Sequence, residues 1–391
     1  MRVLICGAGI AGLTLAGCLE RRGHDPVVVE RAPHLRDDGY MIDFFGSGFD
    51  VAQRLGLLPA LESIHYPVDG LVFVNERGDV RFSVPYPALR KRLFDNRHFN
   101  FMRGELERLL HERFTGRAAI RFNTSVAALG TTDRCVEVTL TDGATESVDV
   151  LIGADGVHSW VRRLAFGPTA PFTRELGYHM AAFILDQPPQ QLRARNAFVT
   201  LTCPKRQVTV YPIRGGRLAT FFLHKACGPV QEPVRDAACD ELQRVYGDLG
   251  WIVPDLLAQC RTLQSIYFDA VEQVQMPAWS IGRVVLVGDA CQCVTPLAGQ
   301  GASMALTAAY TLAEELDPHG DVRQALARYE GRLKPAIERQ QAAGRRIAKW
   351  FVPDDTPHRI VRDLATRMST WPGIAGVVRR RMAAESVLGG V

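Results

Sequence analysis

The chain has 391 residues, 47% apolar and 23% charged, which fits a globular protein of about two or three domains and excludes small stapled scaffolds and long disordered stretches. Lys and Arg number 46 against 42 Asp and Glu, for a net charge of +4, and with no dense basic run interleaved with aromatics the pattern offers nucleic acid no footing. The nine cysteines are odd in number and scattered, as in a reduced cytoplasmic protein; the close pair Cys291 and Cys293 has no His or Cys cluster beside it, so no metal site is expected.

In chain order, residues 3–6 read as a buried strand, 10–22 as a close-packed helix stopped by Gly23, and 26–30 as a second strand, which is a βαβ opening. Arg2, the apolar residues after it and Cys18 superficially resemble a lipoprotein export signal, but Gly7, Gly9 and Gly12 would interrupt the helix that such a signal needs. A helix opening at Arg103 places Leu106, Leu109, Leu110 and Phe114 on one face. Residues 136–140 and 147–152 flank Asp142 and Gly143 as a hairpin that runs into Gly153, Ala154, Asp155 and Gly156.

From about 170 to 270 the chain is rich in strand formers and prolines, with runs at 208–211 and 218–223, and predicts a mostly antiparallel sheet; a helix returns near 237–246. Residues 284–287 form another buried strand ending at Gly288 and Asp289. The uncharged run 290–313 is long enough to span a bilayer, yet Gln292, Pro296, Gly299, Gln300 and Gly301 in its first half make it a loop feeding a buried helix. Beyond Gly320 the pattern is helical, with Val322, Leu326, Tyr329 and Leu333, then Ile360, Leu364 and Met368, each set predicted to bury one face. Arg379, Arg380 and Arg381 near the end are read as the solvated side of a docked helix rather than as a membrane contact.

Between the first strand and helix, Gly7, Ala8, Gly9, Ile10, Ala11 and Gly12 occupy the place of a dinucleotide fingerprint, with Glu30 at the end of the next strand. Gly7 permits the tight turn, Gly9 lets backbone approach a pyrophosphate, Gly12 lets helix and strand pack closely, and the helix N-terminus offers free N–H groups to phosphate. Glu30 suits the adenosine ribose hydroxyls. This motif alone does not choose between NAD and FAD. A second strand end, carboxylate, glycine turn and helix start, from Val284 through Asp289 to Gly299, Gly301 and Ala302, favours FAD.

With these motifs, and with Gly153 to Ser159 followed by Arg162, the sequence resembles the single-component (group A) FAD-dependent monooxygenases, the class of para-hydroxybenzoate hydroxylase and the tetracycline-inactivating enzymes, over most of its length. The resemblance implies an α/β fold: a Rossmann-like FAD-binding domain over 1–75, 99–168 and 275–320, an inserted mostly antiparallel substrate domain over 76–98 and 169–274, and a helical region over 321–391. It also implies that Gly7, Gly9, Ile10, Ala11, Gly12, Glu30 and Arg31 hold the adenosine diphosphate part of FAD. Asp155 and Gly156 would lie near the pyrophosphates of FAD and incoming NADPH, Arg103 would touch the cofactor, Gly288 and Asp289 would meet the ribitol chain, and Pro296, Gly299, Gly301 and Ala302 would border the ring. Gln292 departs from the family, where His is frequent, so no histidine role carries over to that position.

The activity so implied is oxygenation of a medium-sized aromatic or polyketide-like molecule, by hydroxylation or epoxidation, with NADPH (or NADH) as reductant, O2 as oxidant and a flavin C4a-hydroperoxide as oxygen donor. The cofactor carries that chemistry, so no catalytic side chain is named; Pro296, Leu297, Tyr178, His179, Tyr211 and His224 are candidates for lining the pocket. The rival readings are a flavin oxidase, dehydrogenase or reductase on the same fold, and a flavin-binding sensor without catalysis. A monomer or homodimer is expected.

Overall fold

The computed structural model describes residues 1–35, 39–114, 120–189, 192, 196–228, 235–264, 266–295, 297 and 299–368, with the side chains of 346–350 excepted. The opening reads as expected: Arg2–Cys6 and Asp25–Val29 pair in parallel across the helix Ile10–Glu20. They are central to a six-stranded sheet whose order is Ser280–Ile281, Val284–Leu286, Val150–Gly153, Arg2–Cys6, Asp25–Val29 and Ile120–Arg121, parallel apart from its first pair. Ile10 to Leu19 are all buried, because the helix is wedged among its neighbours. A Cβ at Gly17 would fall 2.3 Å from the Phe114 ring, so the helix Arg103–Phe114 packs directly on its backbone.

The expected hairpin is split. Val136–Leu140 pairs antiparallel with Thr145–Val148 in a three-stranded meander completed by Val126–Thr131, while Val150–Gly153 crosses into the parallel sheet. Asp149 makes the switch, its N–H donating to Arg2 O and its carboxylate accepting from Arg2 N–H at 2.8 Å.

The second layer is a seven-stranded sheet in the order Tyr267–Val274, Thr173–Leu185, Arg217–Lys225, Arg206–Ile213, Ala197–Cys203, Gly70–Val74 and Val80–Pro85. It is antiparallel except where Ala197–Cys203 meets Gly70–Val74, and it therefore takes in residues 70–74, upstream of the boundary expected at 76. One face packs on helices Arg235–Tyr246 and Val253–Cys260 through Phe183, Val208, Val210 and Phe222. The alternate residues Gln207, Thr209, Tyr211 and Phe221 face a cavity between the layers. A two-stranded ribbon, Met41–Phe45 against His98–Met102, also borders that cavity.

The helices Gly301–Glu315, Val322–Phe351 and Thr356–Met368 follow. In the last, the expected apolar face is not the buried one: Ile360, Val361 and Leu364 are exposed, while Arg362 and Asp363 are buried. Arg362 donates to Thr202 Oγ1 and Gln207 Oε1 and lies over the Phe73 ring, and Asp363 pairs with Arg81. Hydrogen bonds of a buried ion pair, rather than burial of the apolar stripe, dock this helix. No helix among the described residues is long and apolar enough to cross a membrane.

Candidate functional site

Two cavities, of about 400 Å³ and 120 Å³, both touch Gly9, Arg103, Ala154 and Gly156. Together they line a groove from the Glu30 end of the parallel sheet to the inner face of the seven-stranded sheet. Backbone forms much of its wall. Gly7 has φ +114°, and a Cβ there would stand 2.5 Å from Ala154 O; one at Gly12 would stand 1.9 Å from Gly7 O. Gly9, by contrast, has 3.7 Å of clearance to its nearest atom, and a Cβ at Gly156 or Gly301 would meet nothing within 4 Å. The first two glycines make the turn possible, and the others leave backbone open to the groove.

Two helix N-termini point into this space without side-chain caps, those of Ile10–Glu20 and Gly301–Glu315. Uncapped N–H groups and the positive end of the helix dipole suit anionic or electron-rich ligand atoms there. Glu30 lines the smaller cavity and accepts from Ala8 N–H at 2.8 Å and Ala32 N–H at 2.9 Å, one bond per oxygen, so each oxygen keeps acceptor capacity. Arg31 lines the same cavity.

Asp289 opens onto the larger cavity at the end of Val284–Leu286 and accepts no hydrogen bond from the described residues. Enclosure by protein raises its pKa, and Arg103 opposes the rise. Arg103 lies between the two cavities with its guanidinium 3.0 Å from Glu107, which holds it firmly cationic. Asp155 lines the smaller cavity, but its oxygens already accept from Ser159 Oγ at 2.5 Å and from the N–H groups of Trp160 and Val161. Arg162 lies away from both cavities, fully buried, donating to Ala290 O at 2.8 Å and Val157 O at 2.7 Å. It ties the second and third motifs together from behind.

Of the side chains expected to line the pocket, Tyr211 and Leu297 do so. Tyr178, His179 and His224 do not. His179 and His224 are cross-strand partners on the opposite face of the sheet, where both bond the same Glu241 oxygen, at 3.0 and 3.1 Å. Tyr178 is on the cavity face, yet it packs with Met180, Leu223 and Val352 beyond the cavity wall. Pro296 lies outside the described residues. Ile10, Ala11, Gly299, Gly301 and Ala302 all line the larger cavity; Gly288, at φ +66°, turns the chain just behind it.

Sequence reasoning missed Asp43, Tyr86, His98 and Asn100, which line the larger cavity as one network. Asp43 Oδ1 lies 2.9 Å from His98 Nε2, 2.8 Å from Asn100 Nδ2 and 3.3 Å from the Tyr86 hydroxyl. Burial would raise the Asp43 pKa, but these donors outweigh it and hold the group below its usual range. Burial in turn lowers the His98 pKa, so the imidazole is neutral near pH 7 and donates from Nε2. Nothing local in the sequence joins these residues, which come from two strands and a helix.

The family model described as FAD binding domain matches residues 1–339. A flavin-dependent monooxygenase from an unknown prokaryotic organism is 32% identical over 362 residues, covering 90% of this chain and 91% of its own. Among solved structures, the tetracycline destructase Tet(51) superposes with a TM-score of 0.85 at 27% identity, over 100% of this chain and 98% of that one. Klebsiella pneumoniae HpxO, solved with FAD and uric acid, superposes with a TM-score of 0.80 at 25% identity over 98% of this chain and 97% of that one.

Proposed function

Since the chain belongs to the FAD binding domain family and is a flavin-dependent monooxygenase with FAD as its cofactor, we propose that it takes reducing equivalents from NADPH, with NADH the alternative. We further propose that it places one oxygen atom of O2 on a medium-sized aromatic or polyketide-like molecule, by hydroxylation or epoxidation. The observation that carries this reading is that the two cavities are adjacent and share Gly9, Arg103, Ala154 and Gly156 in their walls. A nucleotide-type turn thus stands next to a chamber walled by aromatic and polar side chains. Two structural relatives, a tetracycline destructase and a protein solved with uric acid, support polycyclic or heteroaromatic substrates.

The residues present fit the cofactor. Backbone of Gly7, Gly9, Ile10, Ala11 and Gly12 would take the pyrophosphate, and Glu30 and Arg31 the adenosine end. Arg103, Asp155 and Gly156 would border the middle of the cofactor, and Gly288 and Asp289 the sugar chain. The Gly299–Ala302 segment, with Pro296 before it, would border the ring. When bound, the cofactor supplies hydride acceptance and oxygen activation. The chain's own work is to orient and enclose: the N-terminus of Gly301–Glu315 offers a positive dipole to electron-rich ring atoms, and Phe198, Tyr211 and Phe221 line the opposite side with aromatic surface.

A reduced-nicotinamide consumption screen over aromatic natural products, with mass analysis, tests the reading. Stimulated NADPH oxidation with a product gaining one oxygen atom is expected. A product that only loses hydrogen would make the protein a dehydrogenase or oxidase on the same fold. The nine cysteines, all free, accord with the proposed cytoplasmic setting.

A further inference from the structure

The larger cavity carries little compensating positive charge. Of its charged lining residues among those described, Asp43 and Asp289 are acids and Arg103 is the cation, already engaged by Glu107 at 3.0 Å. His98 is neutral for the reason given above. Arg90 attracts Asp43 from behind His98, but its guanidinium is turned to His98 O and His65 Nε2 and does not line the cavity.

Asp43 itself is oriented asymmetrically. Oδ1 takes all three bonds of the network, whereas Oδ2 has no partner among the described residues, and the side chain remains 44% exposed, into the cavity. Oδ2 would be 3.1 Å from a Cβ placed at Gly299, whose φ is +64°. A carboxylate held rigidly by neutral donors, with one free oxygen beside the loop that precedes Gly301–Glu315, is a fixed acceptor in a chamber whose walls also carry Phe45, Phe198, Tyr211 and Phe221.

We propose that Asp43 is a specificity-determining residue: its free Oδ2 receives a hydroxyl or protonated amine of the substrate, and its charge excludes aromatic carboxylates. This inference rests on the proposed oxygenase reading, since it names the substrate class for that same chamber. A donor bound at Oδ2 sits against the Gly299 turn, so the contact fixes which edge of the aromatic system faces the loop. An anionic ligand would instead place a second negative charge beside one that has no free counter-ion.

Three matched probes, 2-naphthylmethylammonium, 2-naphthol and 2-naphthoate, titrated against the FAD-loaded protein at pH 7.5 and followed by naphthalene fluorescence, test the assignment. The ammonium and the naphthol are expected to bind at least about tenfold more tightly than naphthoate. Asp43→Asn is expected to compress the ammonium-to-naphthoate ratio by at least about tenfold while leaving FAD content unchanged. Equal or tighter binding of naphthoate to the wild type, binding by none of the three, or an unchanged ratio in a folded Asp43→Asn would each overturn the proposal. If that variant does not fold, the wild-type order alone decides. Protein that takes up no FAD would count against the oxygenase reading instead, and the fluorescence order would still report on Asp43.

Discussion

The parallel sheet meets the cavity with backbone, through the Gly7–Gly12 turn and two uncapped helix N-termini, whereas the seven-stranded sheet meets it with side chains such as Gln207, Thr209, Tyr211 and Phe221. Backbone recognition needs the missing Cβ of glycine at set positions, and that need is written into the sequence as a motif. Side-chain recognition needs only that alternate residues of a strand face inward, and many residue types satisfy it. The first region is thereby suited to a fixed cofactor, the second to a variable substrate.

The sharpest break in this comparison is expected at Gly12. Its Cβ would lie 1.9 Å from Gly7 O, backbone that cannot move without opening the turn, so Gly12→Ala should cost about 3 kcal/mol or more and show as a large fall in Tm or loss of soluble protein. Gly9→Ala tests the other half of the claim. With 3.7 Å of clearance it should fold normally and lose FAD, read as flavin absorbance after gel filtration; full flavin content would show that Gly9 is not at the cofactor.

Asp289→Ala should lower FAD retention at least about tenfold without destabilising the FAD-free protein. Its folded pKa is raised by burial, so the folded FAD-free state holds a proton that the unfolded chain gives up. Stability of that state therefore falls as pH climbs from the usual carboxylate value of about 4 through the raised value. The substitution should reduce this slope in a series of melting curves, leaving the part due to Asp155 and Glu272, whose pKa values burial also raises; an unreduced slope would assign it to those groups.

The same contrast explains what was legible beforehand. The βαβ opening, the Asp289 turn and the helix after it were readable because glycine positions and buried apolar runs are local signals. The face of the sheet on which His179 and His224 lie was not, since alternation fixes parity within a strand but not which parity faces which layer. Asp43 and His98 were invisible for a related reason: they are brought together by antiparallel pairing of Met41–Phe45 with His98–Met102, a long-range register with no spacing rule. Ile360 and Leu364 misled because helical spacing marks a face without saying whether an apolar contact or a buried ion pair docks it.

Glu241 offers a smaller test confined to the second region. One of its oxygens accepts from both His179 Nδ1 and His224 Nε2, and His224 Nδ1 lies 3.3 Å from the Tyr246 hydroxyl. Glu241→Gln should cost about 2 kcal/mol at neutral pH and leave FAD content untouched. Burial raises the Glu241 pKa, but the histidines and Arg244 bring it below its usual value. The stabilisation is thus present above the unfolded value of about 4.3 and lost as pH falls through the folded one, so wild type and variant should converge in Tm at acid pH.

Tyr211 joins the two regions and should show the least effect. Its hydroxyl accepts the Met41 N–H at 2.8 Å, linking the seven-stranded sheet to the ribbon that carries Asp43. Tyr211→Phe keeps the ring in its edge-on contact with Phe198 at 5.2 Å and removes only the acceptor. A loss of about 1 kcal/mol is expected, with FAD retention preserved because no backbone of the glycine turn moves. If the hydroxyl also holds the ribbon in register with the chamber, naphthol affinity should fall alongside stability. An unchanged Tm would mean that water in the cavity replaces the tyrosine on Met41 N–H, and that the ribbon is positioned by His98, Asn100 and Tyr86 alone.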